Sequence, residues 1–208
     1  MTDVCGQEPS ASAARVCYSL IMQPDGSNFV RAFGSEPKSA VIGPFENEAS
    51  ARSWIGSRPN LRRGFEYWRS KRRGDRLPLS QDLDGAGIRE LLCNITIADV
   101  RPDPFAVCYR VIGTACMHIF EPYRPGECLS PELEGEAGYA YWMKIYRQAY
   151  ATKNPHFGRD ISRNTQVGDI EYDWMILPIV DERGKVVMTL DMYEGRHSST
   201  PPARALRH

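Results

Sequence analysis

The sequence predicts an α+β fold: a five-stranded antiparallel sheet with helices on one face, preceded by a small β-hairpin–helix unit. Two observations carry this. Between Leu77 and Glu194, two strand patterns come first, the longest helical pattern lies in the middle, and three strand patterns close the segment. Strands joined by short turns, with helices set between the groups, pair antiparallel and leave one face to be covered. Upstream, Cys17–Met22 and Phe29–Phe33 are short apolar runs separated by Pro24-Asp25-Gly26-Ser27-Asn28, dense in turn formers. That is a hairpin signal.

Taken in order, Asn47 can cap a helix over Glu46–Ile55, with Ala51, Trp54 and Ile55 as its apolar stripe. The stretch Arg58–Arg76 is basic, and within it Leu61, Phe65 and Trp68 fall at i, i+4 and i+7, one face of a helix. Such a helix either docks through its three apolar residues, with the charges solvated, or offers its basic face to nucleic acid. Docking is the favoured reading, because no second basic patch supports the other. A short helix follows through Ile88, Leu91 and Leu92, then a strand at Ile95–Val100 and a turn at Arg101-Pro102-Asp103-Pro104. Phe105–Gly113 alternates Phe105, Val107, Tyr109 and Val111 with Cys108, Arg110 and Ile112, a second strand. Thr114 can cap a short helix reaching Phe120. The longest helix spans Glu134–Thr152, with Tyr139, Trp142, Met143, Tyr146 and Tyr150 on one face and Asn154-Pro155 as its stop. Strands are expected at Phe157–Asn164, Tyr172–Val180 and Lys185–Glu194, the last two joined by Asp181-Glu182-Arg183-Gly184. The tail from Gly195 reads as disordered. The expected divisions are therefore 1–57, 58–76, 77–194 and 195–208.

Composition bounds the function. The chain has 208 residues, 42% hydrophobic and 25% charged, with 26 basic and 26 acidic side chains. That is enough apolar material for a core without metal or disulfide. The balanced charge argues against a nucleic-acid coat or a membrane-surface binder. No apolar run is long enough for a membrane span, and the first residues lack a signal-peptide pattern, so a cytoplasmic protein is expected. The six cysteines, Cys5, Cys17, Cys93, Cys108, Cys116 and Cys128, show no zinc spacing and read as idle or buried thiols.

Several local motifs, in this order, resemble a bacterial PAS-like family, common in alphaproteobacteria and formerly a domain of unknown function. They are Phe65-Glu66-Tyr67-Trp68-Arg69, Arg76-Leu77-Pro78, Ile88-x-x-Leu91-Leu92-x-Asn94-Ile95, Tyr109-Arg110-Val111-Ile112-Gly113-Thr114 and Leu177-Pro178-Ile179-Val180-Asp181-Glu182-Arg183-Gly184-Lys185-Val186. The match spans about Gly64 to Tyr193. The resemblance implies a sensor or interaction fold whose sheet and helices enclose a ligand, and whose flanking helices dimerise.

On that footing the expected ligand-binding residues are His118, Tyr139, Trp142, Met143, Tyr146, Trp174 and Met188, with Met175 and Met192 adding adaptable apolar surface. Leu61, Phe65 and Trp68 are the expected dimer interface. No cofactor is assigned: haem is disfavoured, His118 being the sole histidine near the expected pocket, and the cysteine context of a flavin photosensor is absent. Arg110 is expected to point outward. Cys108 and Cys116 are weighed as a redox pair, without a cationic neighbour to activate either thiol. Asp169, Glu171 and Asp173 are read as a solvated loop rather than metal ligands. No hydrolase or nucleotide-binding motif occurs, so neither an enzyme nor a metal site is expected. The expected role is a sensory or regulatory protein that binds a small apolar or mixed ligand and signals through a separate output partner. The alternative is a ligand-free homodimerising interaction module.

Overall fold

The structure is a computed structural model that describes residues 40–41, 48–117, 124–129, 139–164 and 168–197. All of them fall within one unit, Ala32–His208. The hairpin expected at Cys17–Phe33, residue His118 and the tail beyond His197 lie outside the described residues.

Seven strands form one antiparallel sheet: β1 (Ala40–Val41), β2 (Ile95–Pro102), β3 (Phe105–Ile112), β4 (Cys128–Leu129), β5 (His156–Asn164), β6 (Gly168–Val180) and β7 (Val186–His197). Their spatial order is β1-β5-β6-β7-β2-β3-β4. The five long strands are those the sequence predicts, and two-residue strands extend each edge. The two long hairpins, β2–β3 and β6–β7, meet at the centre, where Thr96 lies opposite Asp191. β7 continues through His197, past the point where a disordered tail was expected, because β6 extends to Gly168 and pairs with it.

The described helices are α1 (Glu48–Ile55), α2 (Pro59–Ser70), α3 (Gly85–Arg89) and α4 (Tyr139–Thr152). They do not share one face. Strand alternation sends Tyr172, Trp174 and Ile176 of β6 into a core with α4, while Met175, Leu177 and Ile179 enter a second core with α1 and α2. The sheet is thus buried on both sides. The α+β class stands, but the cover over one face becomes a cover over two.

The basic helix α2 therefore belongs to the same body as the sheet. Leu61, Phe65 and Trp68 are 0%, 4% and 1% exposed, packed on β6 and β7. Burying three such side chains contributes several kcal/mol, about 1.5–3 for each aliphatic or Phe-sized group. The Trp68 indole also donates to the Pro178 carbonyl at 2.9 Å. No acidic residue occupies the first turn of α2. Glu194 of β7 supplies that charge, its Oε2 accepting from the Asn60 and Leu61 amides at 2.9 and 3.3 Å. A carboxylate there satisfies orphan N–H groups and complements the helix dipole. The expected interface of a homodimer is thus consumed within the chain, and a division at 57 and 76 cuts through one packed unit.

Candidate functional site

α4 crosses the sheet obliquely, and its side chains touch the strands in sequence. Tyr141 reaches β5 by donating to Asp160 Oδ2 at 2.8 Å. Trp142 meets Trp174 of β6, ring centroids 5.2 Å apart and edge to face. Tyr146 reaches β7 by donating to Asp191 Oδ2 at 2.8 Å. Tyr150 meets Phe105 of β3 at 5.7 Å. The helix forms because its apolar and aromatic positions recur every three to four residues. It lies close to β5 partly because Gly158 has no Cβ: one there would sit 2.2 Å from Cζ2 of Trp174.

The structure brings Tyr139, Trp142, Met143, Tyr146 and Trp174 together on this face, all buried. Met188 does not join them. It enters the opposite core, with Met175 and Met192, because residues 188, 190 and 192 of β7 point away from α4. Trp174 and Met175 are consecutive in a strand and cannot share a face. The polar alternates of β7, Thr189 and Asp191, face α4 instead.

Asp191 is the centre of this layer. It is 0% exposed and sits between Thr96 of β2 and Ile176 of β6. Its Oδ2 accepts from Tyr146 and, at 3.1 Å, from Thr96. Its Oδ1 has no hydrogen-bond partner. The Thr189 hydroxyl lies near enough to favour the ionised form, yet it closes no hydrogen bond. Burial pushes the carboxyl up to about 7, against the pull of the hydroxyls of Tyr146, Thr189 and Thr96. Burial also raises the phenols of Tyr146 and Tyr193 well above their ordinary value, and the nearby Asp191 charge adds to this. A second buried carboxylate, Asp160, shares the layer, its Oδ2 accepting from the Trp174 indole at 2.7 Å.

His156 opens β5 and is fully buried. Its Nδ1 lies 2.8 Å from the Asn154 carbonyl, which only accepts, so Nδ1 carries the proton and Nε2 presents a lone pair. Burial lowers its affinity for a proton. Nε2 finds no hydrogen-bond partner.

On the other face, Asp173 corrects the reading of residues 169–173 as a solvated loop. All three acidic residues lie within β6. Asp173 is buried, and its carboxylate accepts from Arg58 Nε at 2.7 Å and from Arg159 Nε at 2.8 Å. Arg58 also donates to the Trp54 carbonyl and lies 4.1 Å from the Trp54 ring centroid. Burial opposes ionisation of Asp173, but the arginines outweigh it and hold the carboxyl below its usual range. Elsewhere in the basic stretch, Arg63 pairs with Glu90, Lys71 with Asp84 and Arg73 with Asp82. These charges serve the fold's own surface. Arg110 is exposed and pairs with Asp99 across the β2–β3 hairpin, pointing outward as alternation predicts.

The cysteines also depart from expectation. Cys108 and Cys128 stand opposite one another in β3 and β4 and form a disulfide. That removes Cys108 from any pairing with Cys116, whose buried thiol is pushed far up by desolvation and then by Asp191. The compartment argument built on idle thiols loses its support. No described helix is long and apolar enough to cross a membrane.

The sequence pattern of the PAS domain family matches residues 57–123, which runs from the start of α2 to just beyond β3. No curated protein matches the chain. Among solved structures, the chain is similar to an RNA-binding Light-Oxygen-Voltage receptor at 17% identity and a TM-score of 0.38. That likeness covers 56% of this chain and 35% of the receptor chain. The matched segment, the antiparallel sheet and its helices make this a PAS-like α+β fold.

Proposed function

We propose that this chain is a sensory or regulatory PAS-like protein, not an enzyme, that holds a small ligand between α4 and the sheet. The observation that carries the reading is the unpartnered Oδ1 of Asp191, an acceptor buried at the centre of an otherwise well-packed aromatic layer. Leaving a buried polar atom unsatisfied costs about 1–3 kcal/mol, and proteins retain such atoms where something else completes them. His156 Nε2 is a second such atom on the same face. The match of residues 57–123 to the PAS domain family supports a sensory role.

α4 is the element that would register occupancy. It meets four strands through four aromatic side chains, so a shift of Tyr146 is shared by the whole helix. The signal would then pass to a separate output partner.

Native mass spectrometry of the purified chain, paired with a denatured run and an absorbance spectrum, tests this. A mass present natively and lost on denaturation is the expected result. A bare mass from several expression hosts and growth media, with no thermal shift across a broad metabolite panel, would overturn it.

A further inference from the structure

The sheet buries two carboxylates in its central strands, one per face, and treats them differently. Asp173 on the α2 face has a guanidinium on each oxygen, from Arg58 and Arg159. Asp191 on the α4 face has only hydroxyls, on one oxygen. Among the described residues the buried cationic or basic side chains are Arg58, spent on Asp173, and His156, whose burial favours its neutral form. Asp191 is thus a buried acid without a counter-charge, and its free oxygen accepts hydrogen bonds when ionised.

Its surroundings are aromatic. Tyr146 touches it directly, Trp142 lies 6.4 Å from Tyr146 between centroids, and Tyr193 and Tyr109 lie within reach of these charges. Ring faces carry negative potential and attract cations, by about 0.5–2 kcal/mol each. A ligand with its own negative charge would meet two buried carboxylates, Asp191 and Asp160, on this face.

We infer that this interior selects a small organic cation, a primary amine or amidine on a compact apolar body, whose N–H group donates to Asp191 Oδ1 while tyrosine and tryptophan rings surround the charge. This rests on the ligand-binding reading above and adds the chemical class. The cation supplies to Asp191 what the arginines supply to Asp173.

The test uses the full chain with probes of matched shape. Butylammonium, benzylammonium, 2-phenylethylammonium and benzamidine are compared with 2-phenylethanol and 3-phenylpropanoate by thermal shift and calorimetry. At least one cation should raise the melting temperature while the alcohol and the anion do not. Asp191→Asn, verified as folded by circular dichroism, should bind that cation at least tenfold more weakly. If the alcohol or the anion binds as well as the best cation, the charge selection is overturned while ligand binding stands. If none of the cations binds and native mass spectrometry still finds a retained neutral or anionic molecule, the class is again wrong. If nothing binds and the native mass is bare, both readings fall.

Discussion

Replacing Asp191 by asparagine should stabilise the protein at high pH and leave it little changed at low pH. The carboxyl is buried without a counter-charge, and its proton affinity is raised to about 7 from the ordinary carboxylate range near 4. An acid raised on folding contributes stability that is fully present below its unfolded value and is lost as pH climbs through the folded one. Here the loss runs from about pH 4 to about pH 7, at about 1.4 kcal/mol per pH unit, for a total on the order of 4 kcal/mol. His156 acts in the opposite direction, since burial lowers its proton affinity and its contribution is lost on acidification. Wild type alone would therefore mix two slopes. The difference between wild type and Asp191→Asn removes the histidine, because both proteins carry it. Urea unfolding at pH 5, 6, 7 and 8 measures that difference. The variant's advantage should grow steadily with pH and reach 2 kcal/mol or more at pH 8. Parallel stability curves would show that Asp191 does not titrate as a buried lone acid, and the reasoning about its environment would fail.

Other expectations follow from the same geometry. Removing one side of the buried ion pair, by Asp173→Asn or Arg58→Met, should cost about 3–5 kcal/mol in chemical denaturation; a change below 1 kcal/mol in both would show that water reaches the pair. Because the two arginines hold Asp173 below its usual range, its contribution persists above about pH 4 and disappears as acid protonates it, so the Asp173→Asn penalty should shrink in acid-unfolding curves. Gly158→Ala should destabilise by about 1–3 kcal/mol and alter near-ultraviolet circular dichroism, since the new Cβ would meet the Trp174 ring at 2.2 Å and disturb its bond to Asp160. Gly113→Ala should be worse, the nearest atom being the Leu92 carbonyl oxygen of the main chain at 2.1 Å; equal effects in thermal melts would contradict this ranking. Replacing both Cys108 and Cys128 by alanine opens a link with a sequence separation of 20 and should cost about 3 kcal/mol, read as a lower urea midpoint.

Much of the fold was legible in the sequence because periodicity is a local signal. The aromatic stripe of α4 and the apolar runs of β6 and β7 needed no distant information. The stripe of Leu61, Phe65 and Trp68 was equally visible, yet which surface it covers is not local: the same stripe serves a second copy or the chain's own sheet. Thr189 and Asp191 show a deeper ambiguity. Alternating polar and apolar residues ordinarily mean that one face meets water, and the pattern is identical when the polar face lies under a helix instead. Met188 was misplaced by ignoring that alternation. Asp173 was hidden among acidic neighbours, since its partner Arg58 stands 115 positions away in the chain. The Cys108–Cys128 pair was obscured because β4 is only two residues long, in a segment whose composition reads as loop.

The two faces of β6 and β7 are chemically unlike, and this constrains how the hairpin can assemble. In most sheets, a strand that slips by one residue exposes its apolar side chains to water, and that exposure is what penalises the error. Here both sides are interior, so a slip would exchange one buried layer for another. It would carry Asp191 into a methionine and leucine layer without the Tyr146 and Thr96 hydroxyls. It would also turn Asp173 away from both arginines and bring Met175, Leu177 and Met192 beneath the aromatic rings of α4. Each buried acid thus acts as a register mark for its own face. The pairing of the two central strands is checked from both sides at once, by charge as well as by shape.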